Sequence, residues 1–167
     1  MIKPQLLNFI HIGRMLVCID VANLEKSVKK INQRVDYKKL IRFFRKGNLI
    51  DIIIYTATFG TKPHNDFLAF LQRIGYKIVC KPEKQIDNRK KANFDVEIAV
   101  DVMELLPHFD SLILFSGDSD FHYLNIKLKS FGKKIFVFST RYSISKELIV
   151  SSTKYFDTKK FEDVFLK

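Results

Sequence analysis

Apolar residues recur along this chain in short, near-continuous runs, separated by stretches with helical spacing. MLVCIDV (15–21), LIDIIIYTA (49–57), YKIVCK (76–81), SLILFS (111–116) and KKIFVFS (133–139) are rich in β-branched and aromatic residues and read as strands, with KYFD (154–157) a weaker sixth. Their lack of strict alternation fits strands buried on both faces of a parallel sheet. Between them, YKKLIRFFRK (37–46), HNDFLAFLQRIG (64–75), FDVEIAVDVMELL (94–106), FHYLNIKLKSFG (121–132) and SISKELIVSS (143–152) space their apolar residues as helices do. Gly47, Gly75, Pro107 and Gly132 stand where such helices stop. This alternation predicts an α/β fold: three layers, α/β/α, around a mainly parallel central sheet with strand order about 3-2-1-4-5. The polar stretch PEKQIDNRKKAN (82–93) predicts a mobile, basic loop.

No repeat or linker divides the chain, so residues 15–167 read as one domain. Residues 1–14 read as an N-terminal arm, because their apolar patch is too broken for a signal peptide. No apolar run approaches the ~20 residues needed to cross a bilayer, so a soluble cytoplasmic protein is expected. Cys18 and Cys80 both fall in apolar strands and read as buried thiols of a reducing compartment, with no zinc-type spacing around them. The formal charge of +11 favours a polyanionic partner such as RNA or DNA.

The acids are not scattered. Asp20 ends the first strand and Asn23 follows it; Asp118 and Asp120 follow the fourth strand, in SGDSDF. With the predicted order those two strands are neighbours, roughly 4.8 Å apart. Asp95 opens the helix after the third strand, and a right-handed crossover starts that helix at the same end of the sheet. Carboxylates 4 Å apart repel by about 4 kcal/mol at an effective dielectric of 20, so such a group must hold protons or cations. Hard ions such as Mg²⁺ or Mn²⁺ suit oxygen ligands and assist attack on phosphoryl groups. Ser116 and Asn23 offer neutral hydrogen-bonding groups beside the acids. Asp101 lies about 9 Å further along its helix than Asp95 and points about 120° away, so it is expected to support the site rather than touch a metal. Neither a phosphate-cradling glycine loop nor a Ser-His-Asp arrangement competes. Phe59, Phe121 and Tyr123 are candidates for stacking on bases, against a default of core packing.

IDVANL (19–24), NFDVEIAVDVMELL (93–106) and DSLILFSGDSDFHYLNIKLKSFGKKIFVF (110–138) together resemble the NYN domain family, LabA-like members of the PIN-like nuclease group. The resemblance runs from Met15 to about Phe161, and its most specific element is SGDSDF followed by a helix. It implies a PIN-like fold and a divalent-metal ribonuclease that uses water to give a 5′-phosphate and a 3′-hydroxyl. Position by position, it implies Asp20, Asp95, Asp118 and Asp120 as metal ligands, Asn23 as the asparagine that follows the first acid, and Asp101 behind them; Asn23 and Ser116, by their own chemistry, are expected to orient water or phosphate. Arg89, Lys90 and Lys91, in the basic loop, are expected to grip the nucleic acid, with salt-sensitive binding. A homodimer is a further expectation. The chain departs from the family where Ala92-Asn93 replaces a Lys-Gly pair; asparagine tolerates left-handed backbone and can replace the glycine. A rival expectation is a catalytically silent RNA-binding or protein-interaction module of the same fold. A small-molecule phosphatase of the haloacid-dehalogenase type is disfavoured, because Ala22 stands where it needs a second aspartate.

Overall fold

The computed structural model describes residues 12–86 and 89–167, with side chains throughout except at 85–91. Strand β1 (Met15–Asp20) leads directly into α1 (Val21–Lys29), then α2 (Tyr37–Phe44), β2 (Leu49–Thr58), α3 (Lys62–Ile74) and β3 (Lys77–Pro82). A hairpin of β4 (Lys84–Ile86) and β5 (Arg89–Lys91) precedes α4 (Asp95–Glu104) and β6 (Ser111–Phe115). The chain continues through α5 (His122–Ser130), β7 (Lys134–Ser139), α6 (Lys146–Ser151), β8 (Lys154–Asp157) and α7 (Glu162–Phe165).

Six of these strands form one sheet in the order β3-β2-β1-β6-β7-β8, and every pairing in it is parallel. The expected order is therefore present, and the weak strand at 154–157 extends it by one. Alternate residues supply the two faces. Val17, Ile19, Ile54, Phe115 and Phe138 face the layer of α1, α2, α3 and α7; Leu16, Cys18, Tyr55, Leu114 and Val137 face α4, α5 and α6. Both faces are covered, which explains why the strands read as continuous apolar runs.

On the first face the phenylalanines form one connected group. Phe115 stacks on Phe138 at 4.8 Å between centroids, Phe138 on Phe156 at 5.0 Å, and Phe161 on Phe165 at 5.5 Å. Phe44 meets Phe115 and Phe138 edge-on. Such pairs contribute about 0.5–1.5 kcal/mol each beyond their buried area. They tie the segment 156–165 to the sheet and to α2.

Several parts of the chain differ from the sequence expectation. α1 was not anticipated, because its amphipathic pattern (Val21, Leu24, Val28) begins on the residue after the strand, with no turn between them. The 82–93 stretch is not a loop: Lys84 to Lys91 pair as an antiparallel hairpin. Cys80 is exposed, because β3 is the edge strand and is only partly covered. Cys18 is buried in the central strand, and burial pushes its thiol up to about 12.

Residues 12–14, expected to belong to an arm, fold onto the domain. Ile12 is buried and its carbonyl accepts a hydrogen bond from the Ser111 hydroxyl. The backbone N–H of Arg14 donates to Asp110 at 2.8 Å, and its guanidinium donates to the same carboxylate at 2.9 and 3.1 Å. Gly13 turns with φ +74, and a side chain there would meet Asp110 at 2.7 Å. Residues 1–11 lie outside the described residues.

The Arg14 hydrogen bonds hold the Asp110 carboxyl down at about 2, from a usual 3.8. A lowered carboxylate stabilises the fold above the unfolded-state value and loses that effect as pH falls through the folded value. Asp110→Asn should therefore lower the melting temperature at pH 6, and the gap from wild type should close as pH falls from about 4 towards 2, read by thermal unfolding across that range.

Candidate active site

The carboxyl ends of β1, β2 and β6 open on one edge of the sheet, where a cleft of about 570 Å³ is lined by Asp20, Asn23, Asp95 and Asp118, among others. Each acid reaches it for a local reason. Asp20 is the first polar residue of a strand whose previous five are fully buried. It caps α1, its carboxylate accepting the Asn23 N–H at 3.2 Å. Asp118 caps the 3-10 turn Ser119–Phe121 and accepts the Asp120 N–H at 3.2 Å. Asp95 opens α4, and its N–H donates to the Asn93 side chain at 2.9 Å. Asn93 thus serves as an acceptor; Asn32 is the described non-glycine residue with left-handed backbone.

Asp95, Asp118 and Asp120 converge, each offering a carboxylate oxygen within 4.8 Å of the others. Asp20 stands beside this trio rather than in it. Burial raises its pKa to about 6, with Asp95 and Asp118 adding to the shift against the opposing Asn23 hydrogen bond. Asp95 is also raised, by burial first and then by Asp118 and Asp120. The donors are all carboxylate oxygens. That set fits a hard divalent cation.

The other expected residues fall in several places. Asn23 lines the cleft, and its side-chain oxygen accepts the Gly117 N–H at 2.9 Å, which ties α1 to the end of β6. Ser116 is buried and its hydroxyl accepts the Asp118 N–H at 3.2 Å, so it shapes the turn that carries Asp118. Asp101 accepts the Tyr55 hydroxyl at 2.9 Å, away from the trio. Arg89, Lys90 and Lys91 form β5, at the same edge; their side chains lie outside the described residues. Phe121 is buried in the core, whereas Phe59 and Tyr123 are exposed.

The cleft also has a wall of which only Phe59 was anticipated, as a ring for stacking on bases. Phe59 and His64 meet edge-on at 4.6 Å, and the His64 ring is held by the Ala57 carbonyl through Nε2 at 2.9 Å. Both line the cleft with Thr56 and Ala57. The available signal was strand order: β2 neighbours β1, so its carboxyl end must open on the same edge.

Gly117 is the tightest point. A Cβ there would lie 2.2 Å from the Ser143 carbonyl oxygen and 2.8 Å from the Ser139 hydroxyl. Its own carbonyl accepts the Ser145 N–H at 3.0 Å. Glycine therefore lets the end of β6 press against the turn before α6.

A carboxylate-lined crevice at the carboxyl edge of this parallel three-layer sheet is the arrangement of a PIN-like domain. The NYN domain family model matches residues 14–159, and the chain belongs to that family. Over 155 residues it is 26% identical to the low amplitude and bright protein LabA of Synechococcus elongatus, covering 87% of this chain and 83% of that protein. A crystal structure of a protein of unknown function from Vibrio parahaemolyticus shares the fold, with a TM-score of 0.81 at 24% identity over 94% of this chain and 98% of that one.

Two outcomes are expected. A carboxyl raised on folding makes the folded state bind more protons than the unfolded one between about pH 4 and 6, so stability falls as pH rises through that window. Asp20→Asn keeps the helix cap and removes this cost. In EDTA it should be more stable than wild type above pH 6, on the order of 2 kcal/mol, and equal to it below pH 4, by thermal or urea unfolding. Gly117→Ala should destabilise by about 1–3 kcal/mol, because backbone must move to admit the methyl group; an unchanged urea midpoint would contradict the close approach.

Proposed function

We propose that this protein is a divalent-metal-dependent ribonuclease, hydrolysing RNA phosphodiester bonds with Mg²⁺ or Mn²⁺ at Asp95, Asp118 and Asp120, with Asp20 alongside. The supporting observation is the convergence of three carboxylate oxygens within 4.8 Å at the sheet edge. Membership of the NYN family, in a group of nucleases, points the same way. A cation bound there supplies positive charge that assists attack by water and offsets the charge that grows on the phosphoryl oxygens.

The chain's own groups have separable tasks in this reading. Asp95, Asp118 and Asp120 hold the cation. Asn23, its oxygen engaged by Gly117, has its NH₂ left to donate to a phosphoryl oxygen. Ser116 positions Asp118 through the backbone, and Asp101 braces α4 against β2 through Tyr55. The exposed Phe59 ring offers a face for a base. This reading assigns Arg89, Lys90 and Lys91, on the hairpin that leads into α4, to contacts with phosphates. Two free cysteines accord with a cytoplasmic setting.

The test is cleavage of labelled single-stranded RNA and matched DNA in Mn²⁺, Mg²⁺ or EDTA. Wild type should cleave RNA only with metal, and Asp118→Asn should lower the rate by at least about a hundredfold. Retained cleavage by Asp118→Asn would overturn the assignment. Tight RNA binding without turnover under either metal would favour the silent RNA-binding module instead.

A further inference from the structure

Beside the acidic cleft lies a larger, open groove of about 1100 Å³. Glu25, Lys26 and Phe67 line both, so one runs into the other. The groove has ordered walls: α1, the turn through Asn32, the start of α2 and the middle of α3. Arg34 and Lys167 are joined there by reciprocal backbone hydrogen bonds of 2.7 and 2.9 Å.

Its charge is opposite to that of the cleft. Lys26, Lys29, Arg34, Lys38 and Lys167 line it, and its acidic side chains are Glu25 and Asp36. Both carboxylates are engaged within the protein: Glu25 accepts the Tyr37 hydroxyl at 2.7 Å, and Asp36 caps α2 by accepting the Lys39 N–H at 3.0 Å. Among the described residues, none of the five cations is in an ion pair. Cations on a convex helix face spread into solvent, but here they converge across one concavity, where they repel unless an anion lies between them. Aromatic rings are interleaved with them: Phe67 and Phe70 line the same groove, and the Lys38 ammonium lies 5.4 Å from the Phe70 centroid.

We infer that this groove is the track for a nucleic-acid single strand passing to or from the acidic cleft, with its phosphates on the lysines and Arg34 and its bases towards Phe67 and Phe70. Single-strand binders combine a basic groove with aromatic faces in this way. The inference rests on the nuclease reading for the identity of the strand as RNA, and it moves the main grip from the hairpin to α1 and α2. The part of the strand at the acids meets a cation; the part in the groove needs none.

The experiment measures fluorescence anisotropy of a labelled single-stranded RNA of about 16 nucleotides in EDTA, where no cleavage occurs. Lys29→Glu/Lys38→Glu is compared with Lys127→Glu/Lys154→Glu, which makes the same charge change outside both grooves. All four lysines are exposed, and circular dichroism checks the fold of each variant. The groove variant should bind at least about tenfold more weakly, and its log–log salt slope should be shallower by roughly 1.4, because two phosphates keep their counterions. The control variant should stay within about twofold of wild type. A matched DNA strand should weaken in the same ratio, since the groove's cations meet phosphates rather than bases. Equal weakening in both variants, or none in the groove variant, overturns the track. If wild type cleaves RNA with metal yet the groove variant binds normally, only the track falls; if wild type neither binds nor cleaves, the nuclease reading falls with it.

Discussion

A strand covered on both faces and paired on both edges has nowhere to put a charge except its ends. β1 meets that constraint: Met15 to Ile19 are fully buried, and Asp20 is its first acidic or basic side chain after an apolar run. Because the sheet is parallel throughout, the same rule delivers the polar ends of β1, β2 and β6 to a single edge. The acids of the cleft therefore gather as a consequence of how the core excludes charge. The Asn23–Gly117 hydrogen bond then fixes the two central strand ends against each other. Position 117 has to lack a side chain for that contact to coexist with the turn at Ser143.

Much of this was legible in the sequence, and the gaps have physical causes. The apolar runs marked all six strands of the main sheet because two-sided burial leaves few polar residues to interrupt them. Asp20, Asp95, Asp118 and Asp120 could be assigned to one edge once strand order was inferred. What the pattern lacked was side-chain direction. Ser116 sits between β6 and Asp118 yet turns into the interior, and Asp101 is claimed by Tyr55, a residue 46 positions away. α1 was hidden because Asp20 both ends the strand and caps the helix, leaving no turn residues to punctuate them. The basic groove was hidden for a different reason: Lys167 joins Lys29 and Lys38 there through the pairing of residue 34 with 167, a contact between distant parts of the chain.

The two concavities give the net charge of +11 a spatial order. Carboxylates occupy the crevice at the strand ends, while ammonium and guanidinium groups occupy the groove that opens from it. A chain with mixed charges on every face would present a weak average field. Separated in this manner, the charges define a direction along the surface, running past Lys26 and Phe67 where the two grooves join.

The phenylalanine group on the α1–α2 face bears on how the protein is made. Phe115 and Phe138 receive ring partners from residues 156–165, a segment synthesised after both of their strands. Until then a vectorially synthesised chain carries a large aromatic surface with its cover still missing, the condition under which partly folded chains associate. Residues 156–165 thus complete this face only after its strands have been made, and the interval before they emerge is when a nascent chain of this protein most needs a chaperone.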